Sequence, residues 1–173
     1  LKTEEGLNVF WRLLEDADVV AQNYRAGKLE NLGIGYEEVR KRKPDIIYVS
    51  LNAFGHIGPW AGRPGHEGFA QATTGMDLRF GGDGPPKSQP NAINDYGTGV
   101  MGSYAASLVL NERSRTSLGH KEDSSLIFTA TLLQPIFLLD QVGLKRYEPH
   151  DMWLLCASAL SSLDHGSDYC FCP

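Results

Sequence analysis

The stretch from Asp45 to Asn52 constrains this chain more than any other, because Ile46-Ile47-Tyr48-Val49 sets four β-favouring apolar residues in an unbroken row. A strand with one wet face alternates in polarity. One that is apolar throughout must be covered on both faces, as in a parallel sheet flanked by helices. A shorter run, Asp18-Val19-Val20-Ala21-Gln22-Asn23, reads as its partner. Thr3 before Glu4 and Glu5 supplies an N-cap and a negative first turn, and Leu7, Phe10, Trp11 and Leu14 continue at helical spacing to about Asp16. Glu37 to Lys43 reads as a short polar helix stopped before Pro44. The order helix, strand, helix, strand predicts an α/β fold with a partial doubly wound, Rossmann-like parallel sheet, since parallel neighbours need crossover helices. Two strands are too few for such a sheet, so the others are expected before Leu1, after Pro173 or in another subunit.

Gly and Pro dominate from Ala53 to Pro90, with one helix predicted inside, Glu67 to about Thr74. Asn94-Asp95 opens a long helix to about Asn111, with Val100, Tyr104 and Leu108 near one face. A turn around Gly119 then leads to an apolar helix from Ser124 to Leu139, with Pro135 as a candidate kink. Periodicity fades after Glu148. The three cysteines, Cys156, Cys170 and Cys172, all fall in that end, and their spacing fits neither a paired zinc motif nor a secreted disulfide framework. With Leu at position 1 and such an end, the chain reads as a fragment.

Charge narrows the function. Lys and Arg number 16 against 21 Asp and Glu, a net charge of −5, and the one basic run, Arg40 to Lys43, is short, which argues against nucleic acid as a partner. No apolar run reaches the ~18 residues of a membrane span, and no signal peptide opens the chain, so no membrane association and a cytoplasmic location are expected.

Asp95 is the most informative polar residue. It stands before Tyr96-Gly97-Thr98-Gly99, where two close glycines would let backbone approach a ligand. A carboxylate at a helix N-terminus is either a cap or a poised nucleophile, and spacing leaves both open. Arg63-Pro64-Gly65-His66-Glu67 offers an acid/base or orienting pair at a predicted helix start, or else a capped helix with a surface histidine. Arg25 follows the first strand, where a parallel sheet presents ligand-facing loops, and suits a phosphate, a carboxylate or plain solvent. Gly81-Gly82-Asp83-Gly84-Pro85-Pro86 matches no phosphate-binding fingerprint and reads as a turn-rich connection. His56, His120, His150 and His165 show no metal-ligand spacing, so no metal is assigned.

Several motifs, in order, resemble the class III CoA-transferases, the CaiB/BaiF family that includes formyl-CoA transferase, carnitine CoA-transferase and α-methylacyl-CoA racemase. They are Ala17-Asp18-Val19-Val20-Ala21-Gln22-Asn23-Tyr24-Arg25-Ala26-Gly27, Leu32-Gly33-Ile34-Gly35-Tyr36, Pro44-Asp45-Ile46-Ile47-Tyr48, Phe54-Gly55 with Gly58-Pro59, Arg63-Pro64-Gly65-His66-Glu67 with Ala70-Gln71-Ala72, and Asn94-Asp95-Tyr96-Gly97-Thr98-Gly99. The resemblance implies part of the family's large domain over residues 1–148 and an atypical tail over 149–173, of the kind truncation or a frameshift leaves.

It further implies that Asp95 is the nucleophile, moving coenzyme A from an acyl-CoA to a carboxylic acid through an aspartyl-CoA thioester. Coenzyme A would be a thioester substrate, with no permanently bound cofactor. Its contacts would fall on Lys2, on Asn23, Tyr24 and Arg25, and on Gly65, His66 and Glu67. The full-length assembly implied is an interlocked homodimer, and the 173-residue chain alone is expected to be inactive. Three departures stand out: Gln22 replaces an acidic residue, Ala26 replaces Pro, and Asn31 stands where Arg is frequent. His66 stands where many transferases carry Tyr and the racemase carries His, so a racemase using His66 and Asp95 as an acid/base pair is the alternative. A degenerate, non-enzymatic member is the third.

Overall fold

A computed structural model describes residues 1–134. The fading periodicity, Pro135, the cysteines and the expected tail lie outside the described residues. Helix α1 (Glu4–Asp16) starts at the expected cap, the Thr3 hydroxyl accepting the Gly6 N–H at 3.1 Å. Strand β1 (Val19–Gln22) follows, then a 3-10 turn (Glu30–Leu32), α2 (Tyr36–Arg42) and β2 (Ile47–Asn52). Beyond them lie α3 (Glu67–Thr73), α4 (Met76–Gly81), α5 (Ile93–Thr116), β3 (Lys121–Ser125) and α6 (Leu126–Leu132).

The strands form one parallel sheet in the order β1-β2-β3, with Val20 opposite Tyr48 and Tyr48 opposite Lys121. As the unbroken apolar row demands, β2 is covered twice. Ile46 and Tyr48 are buried with Leu14 of α1, Val39 of α2 and Leu29 and Ile34 of the segment between β1 and α2. Ile47 and Val49 are buried on the opposite face with Val109 of α5. The predicted doubly wound α/β class is therefore the observed one.

Three expectations are corrected. The third strand is within the chain, at Lys121–Ser125, where a turn and the start of a helix were expected. Its sequence, Lys-Glu-Asp-Ser-Ser, carries no β-propensity. Backbone geometry makes the strand instead: the Gly119 N–H donates to the Pro44 carbonyl at 3.1 Å, and a Cβ at Gly119 would overlap the Ile46 carbonyl. The turn is thus pressed against the entry of β2, and the ladder opens with the Tyr48 N–H on the His120 carbonyl at 2.9 Å. Helix α6 accordingly starts at Leu126, its N-terminus capped by the Ser125 hydroxyl.

Second, the Gly- and Pro-rich stretch from Ala53 to Pro90, where one helix was expected, holds a second, α4. Third, α5 begins at Ile93 and runs on to Thr116, past the expected end. Val100, Tyr104 and Leu108, expected near one face of α5, fall on its outward side, 66%, 59% and 52% exposed. The sheet takes the small-residue side instead. A Cβ on Gly102 would sit 2.7 Å from Leu51 Cδ2, so only that side lets the helix lie close to β2.

Candidate active site

Helix α5 fixes where Asp95 stands. Near its C-terminus Arg113 donates to the Asp45 carbonyl at 3.2 Å and pairs with Asp18 at 2.6 Å, both residues just ahead of their strands. Gly102, further back, lies against Leu51 near the end of β2. The helix therefore runs antiparallel to β2, and Asp95, seven residues before Gly102, projects about 10 Å further, at the carboxyl edge of the sheet. In open parallel sheets this edge is where ligands bind.

Asp95 is not the N-cap. That position belongs to Ala92, which makes no side-chain cap bond, and Asp95 lies inside the first turn. Glu67 supplies the missing cap from the next helix. Its Oε2 accepts the Asp95 backbone N–H at 2.8 Å, and its Oε1 accepts from Asn94 Nδ2 at 2.7 Å and from Gln71 Nε2 at 2.8 Å. Asn94 is fully buried, so this carboxylate ties the starts of α3 and α5 together. The Asp95 carboxylate remains exposed. Desolvation raises its pKa most and the Glu67 charge raises it next, while a charged His66 ring pulls it down.

His66 is itself the cap of α3, its Nδ1 accepting the Gly68 N–H at 3.2 Å, so in the neutral ring Nε2 carries the proton. Gly65 is required beside it, because a Cβ there would run into Ala53 and the Phe54 ring. Gly97, read as a point of ligand approach, has a different use. A Cβ on it would meet Thr129 Cγ2 at 2.6 Å, so Gly97 lets α6 close on α5, with the Thr98 and Thr129 hydroxyls bonded at 2.8 Å.

The second group lies at the same edge. Asn23, Tyr24 and Arg25 follow β1 directly and are exposed, as is Lys2. Leu1, Asn23 and Tyr24 share a groove of about 330 Å³ with Phe10, Val20 and Leu29, which brings Lys2's neighbour to the loop. Thus Gly65, His66 and Glu67 come together with Asp95, and Leu1 with the β1 loop. No hydrogen bond or ion pair among the described residues joins the two groups.

Sequence reading passed over a third cluster. His56 Nε2 sits 3.0 Å from Ser50 Oγ and 2.8 Å from Asp123 Oδ1, and Lys121 Nζ lies 3.1 Å from the other Asp123 oxygen. The signal was the alternation of Gln22, Ser50 and Asp123 on one sheet face, hidden because β3 was not foreseen. Among the described residues no group of three or more His, Cys, Asp or Glu side chains could hold a metal ion, and no helix is long and apolar enough to cross a membrane.

The doubly wound α/β sheet thus presents Asp95 and, on a separate loop, Arg25 at its carboxyl edge. The chain belongs to CoA-transferase family III, whose model matches residues 1–153. It is 33% identical over 152 residues to the succinyl-CoA:glutarate CoA-transferase of Mus musculus, covering 85% of this chain and 35% of that protein. To an acyl-CoA transferase of Fusarium pseudograminearum it is 35% identical over 145 residues, covering 83% of this chain and 30% of that one. The crystal structure of a CaiB/BaiF family protein from Brucella suis superposes with a TM-score of 0.76 at 33% identity, over 84% of this chain and 39% of that one. The chain thus spans about a third of the length of these relatives.

Proposed function

We propose that this chain carries the nucleophile of a CoA-transferase that moves coenzyme A between an acyl-CoA and a free carboxylic acid. The observation that carries the reading is Asp95, held by its backbone N–H on Glu67 with its carboxylate free at the carboxyl edge beside His66. A carboxylate oxygen of Asp95 attacks the donor thioester carbonyl, and the C–S bond breaks to release the coenzyme A thiolate and leave a mixed anhydride. The thiolate attacks the aspartyl carbonyl of that anhydride, freeing the donor acid and forming the aspartyl-CoA thioester. The acceptor carboxylate attacks this thioester and the thiolate leaves again. Its return to the acceptor acyl carbonyl yields the new acyl-CoA and restores Asp95. No net proton or electron is exchanged, so the scheme balances with the two substrates and Asp95 alone. Water competes with the acceptor at each acyl intermediate and must be excluded.

Lys2 and Arg25 supply cations for the coenzyme's phosphates, and Asn23 and Tyr24 present the loop that carries Arg25. Dicarboxylic substrates, named for relatives such as the mouse enzyme, suit the same scheme. Full exchange belongs to a homodimer of the intact protein. Incubating the intact protein with succinyl-CoA and glutarate and trapping with hydroxylamine should place a hydroxamate on Asp95. Asp95→Ala should abolish the trap and the exchange while leaving coenzyme A binding in place. A trap on any other residue, or exchange that survives Asp95→Ala, refutes the proposal.

His66 standing near Asp95 also favours a second reading, a racemase that passes the α-proton of an acyl-CoA between the two. It predicts solvent deuterium at the α-carbon with no acceptor acid present.

A further inference from the structure

Gln22, Ser50 and Asp123 stand in cross-strand register, Gln22 opposite Ser50 and Ser50 opposite Asp123, so one polar row crosses all three strands. His56, from the loop after β2, folds back over it. Proton positions follow from the fixed donors. The Tyr24 backbone N–H donates to Gln22 Oε1 at 2.7 Å, which turns the Gln22 amide nitrogen towards Ser50 Oγ. The Asp123 carboxylate accepts, so His56 Nε2 bears the proton it shares between Asp123 and Ser50. Ser50 is fully buried, and its oxygen receives both Gln22 and His56.

That arrangement excludes a nucleophilic triad. Such a relay needs serine on one ring nitrogen and the carboxylate on the other, whereas here both lie on Nε2. What the row does is mechanical: it carries the rigidity of the sheet to one backbone amide in an otherwise exposed loop. We propose that Gln22 is a positioning residue, which through Ser50, His56 and Asp123 registers the Asn23–Tyr24–Arg25 loop on the sheet and thereby sets its affinity for an anionic ligand. The choice of coenzyme A as that ligand rests on the proposed transferase function; the loop's registration does not. A loop held in its binding conformation avoids the ordering cost of association, worth about tenfold in affinity for one or two side chains.

The test uses the intact protein with Gln22→Leu, which removes both bonds, and Gln22→Glu, which keeps an oxygen for Tyr24 and one for the Ser50 hydroxyl. Two quantities are measured: hydrogen exchange at the Tyr24 amide without ligand, and coenzyme A affinity by titration. Gln22→Leu should speed exchange at least about fivefold and weaken coenzyme A about tenfold, and Gln22→Glu should restore both to within about twofold. If Gln22→Leu does not fold, Ser50→Ala, which frees only the far end of the Gln22 amide, must shift the same exchange in the same direction. Unchanged Tyr24 exchange in folded Gln22→Leu, or in Ser50→Ala where that variant stands in for it, overturns the inference, as does faster exchange with unaltered affinity. Should the intact parent protein take up no coenzyme A, the transferase reading falls, and the exchange measurements alone decide the loop's registration.

Discussion

Replacing Glu67 by glutamine separates two accounts of the pair it makes with Asp95. All three groups around the Glu67 carboxylate are donors: Asn94 Nδ2, Gln71 Nε2 and the Asp95 backbone N–H. An amide offers one oxygen and one N–H₂, so whichever way the substituted side chain turns, a donor faces a donor. One charge-assisted hydrogen bond is lost, and the others weaken with the charge; the loss is about 2 kcal/mol. Glu67→Ala leaves the buried Asn94 amide without that acceptor altogether and should cost about 3 kcal/mol. With an unfolding entropy of about 2.1 cal/mol/K per residue over the 134 described residues, 2 kcal/mol lowers the melting temperature by about 7 °C. Thermal unfolding followed by circular dichroism at neutral pH measures it. If Glu67 acted chiefly by repelling Asp95, neutralising it would stabilise the protein. A melting point for Glu67→Gln equal to or above the parent's would therefore refute its role as a cap supplied from α3.

Three further outcomes follow from the same geometry. Gly99 faces open space inside α5, so Gly99→Ala should raise stability by about 0.5–1 kcal/mol in chemical denaturation, whereas Gly119→Ala, forced onto the Ile46 carbonyl, should prevent folding. Arg113 holds the Asp18 pKa below its ordinary value, first through the hydrogen bond and then through its charge. This contribution is present above the unfolded pKa and is lost as pH falls through the folded one. The stability gap between parent and Asp18→Asn should therefore be full at neutral pH and close below about pH 4; a gap that widens on acidification contradicts it. The pKa of Asp95 is raised partly by Glu67, so Glu67→Gln should move the Asp95 titration, read by carboxyl NMR shifts, to lower pH.

How much of this was legible in the sequence depends on what held each element in place. The apolar row of β2, the Thr3 cap and the helical spacing of α1 are local signals, and they were read where they lie. Strand β3 was not, because Lys-Glu-Asp-Ser-Ser is a strand only by virtue of Gly119 lying on the entry of β2, a contact between segments far apart in the chain. Which side of α5 faces the sheet is not a local signal either: close approach to Leu51 selected glycine over the larger apolar residues. Asp95, His66 and Glu67 were singled out locally, but the capping of α5 by Glu67 spans two helices. The row from Gln22 to Asp123 could not be seen before the third strand was known.

The two edges of the sheet divide the work. At the amino edge, Arg113 joins the approaches to β1 and β2 through Asp18 and the Asp45 carbonyl, far from every proposed site residue. At the carboxyl edge, Glu67 carries the start of α5, and Gln22 carries the loop after β1. Each uses side-chain oxygens to hold a backbone N–H, and each leaves the adjoining proposed site residue, Asp95 or Arg25, exposed. Fixing backbone rather than side chain is the arrangement the proposed mechanism needs, because its nucleophile would be acylated and released in every cycle while the main chain stays put. Substitutions at the two edges share no partner, so their effects on stability should add to within about 0.5 kcal/mol. A loss of coenzyme A affinity in Asp18→Asn would show that the edges are coupled, and that the carboxyl-edge site is not fixed by its own hydrogen bonds.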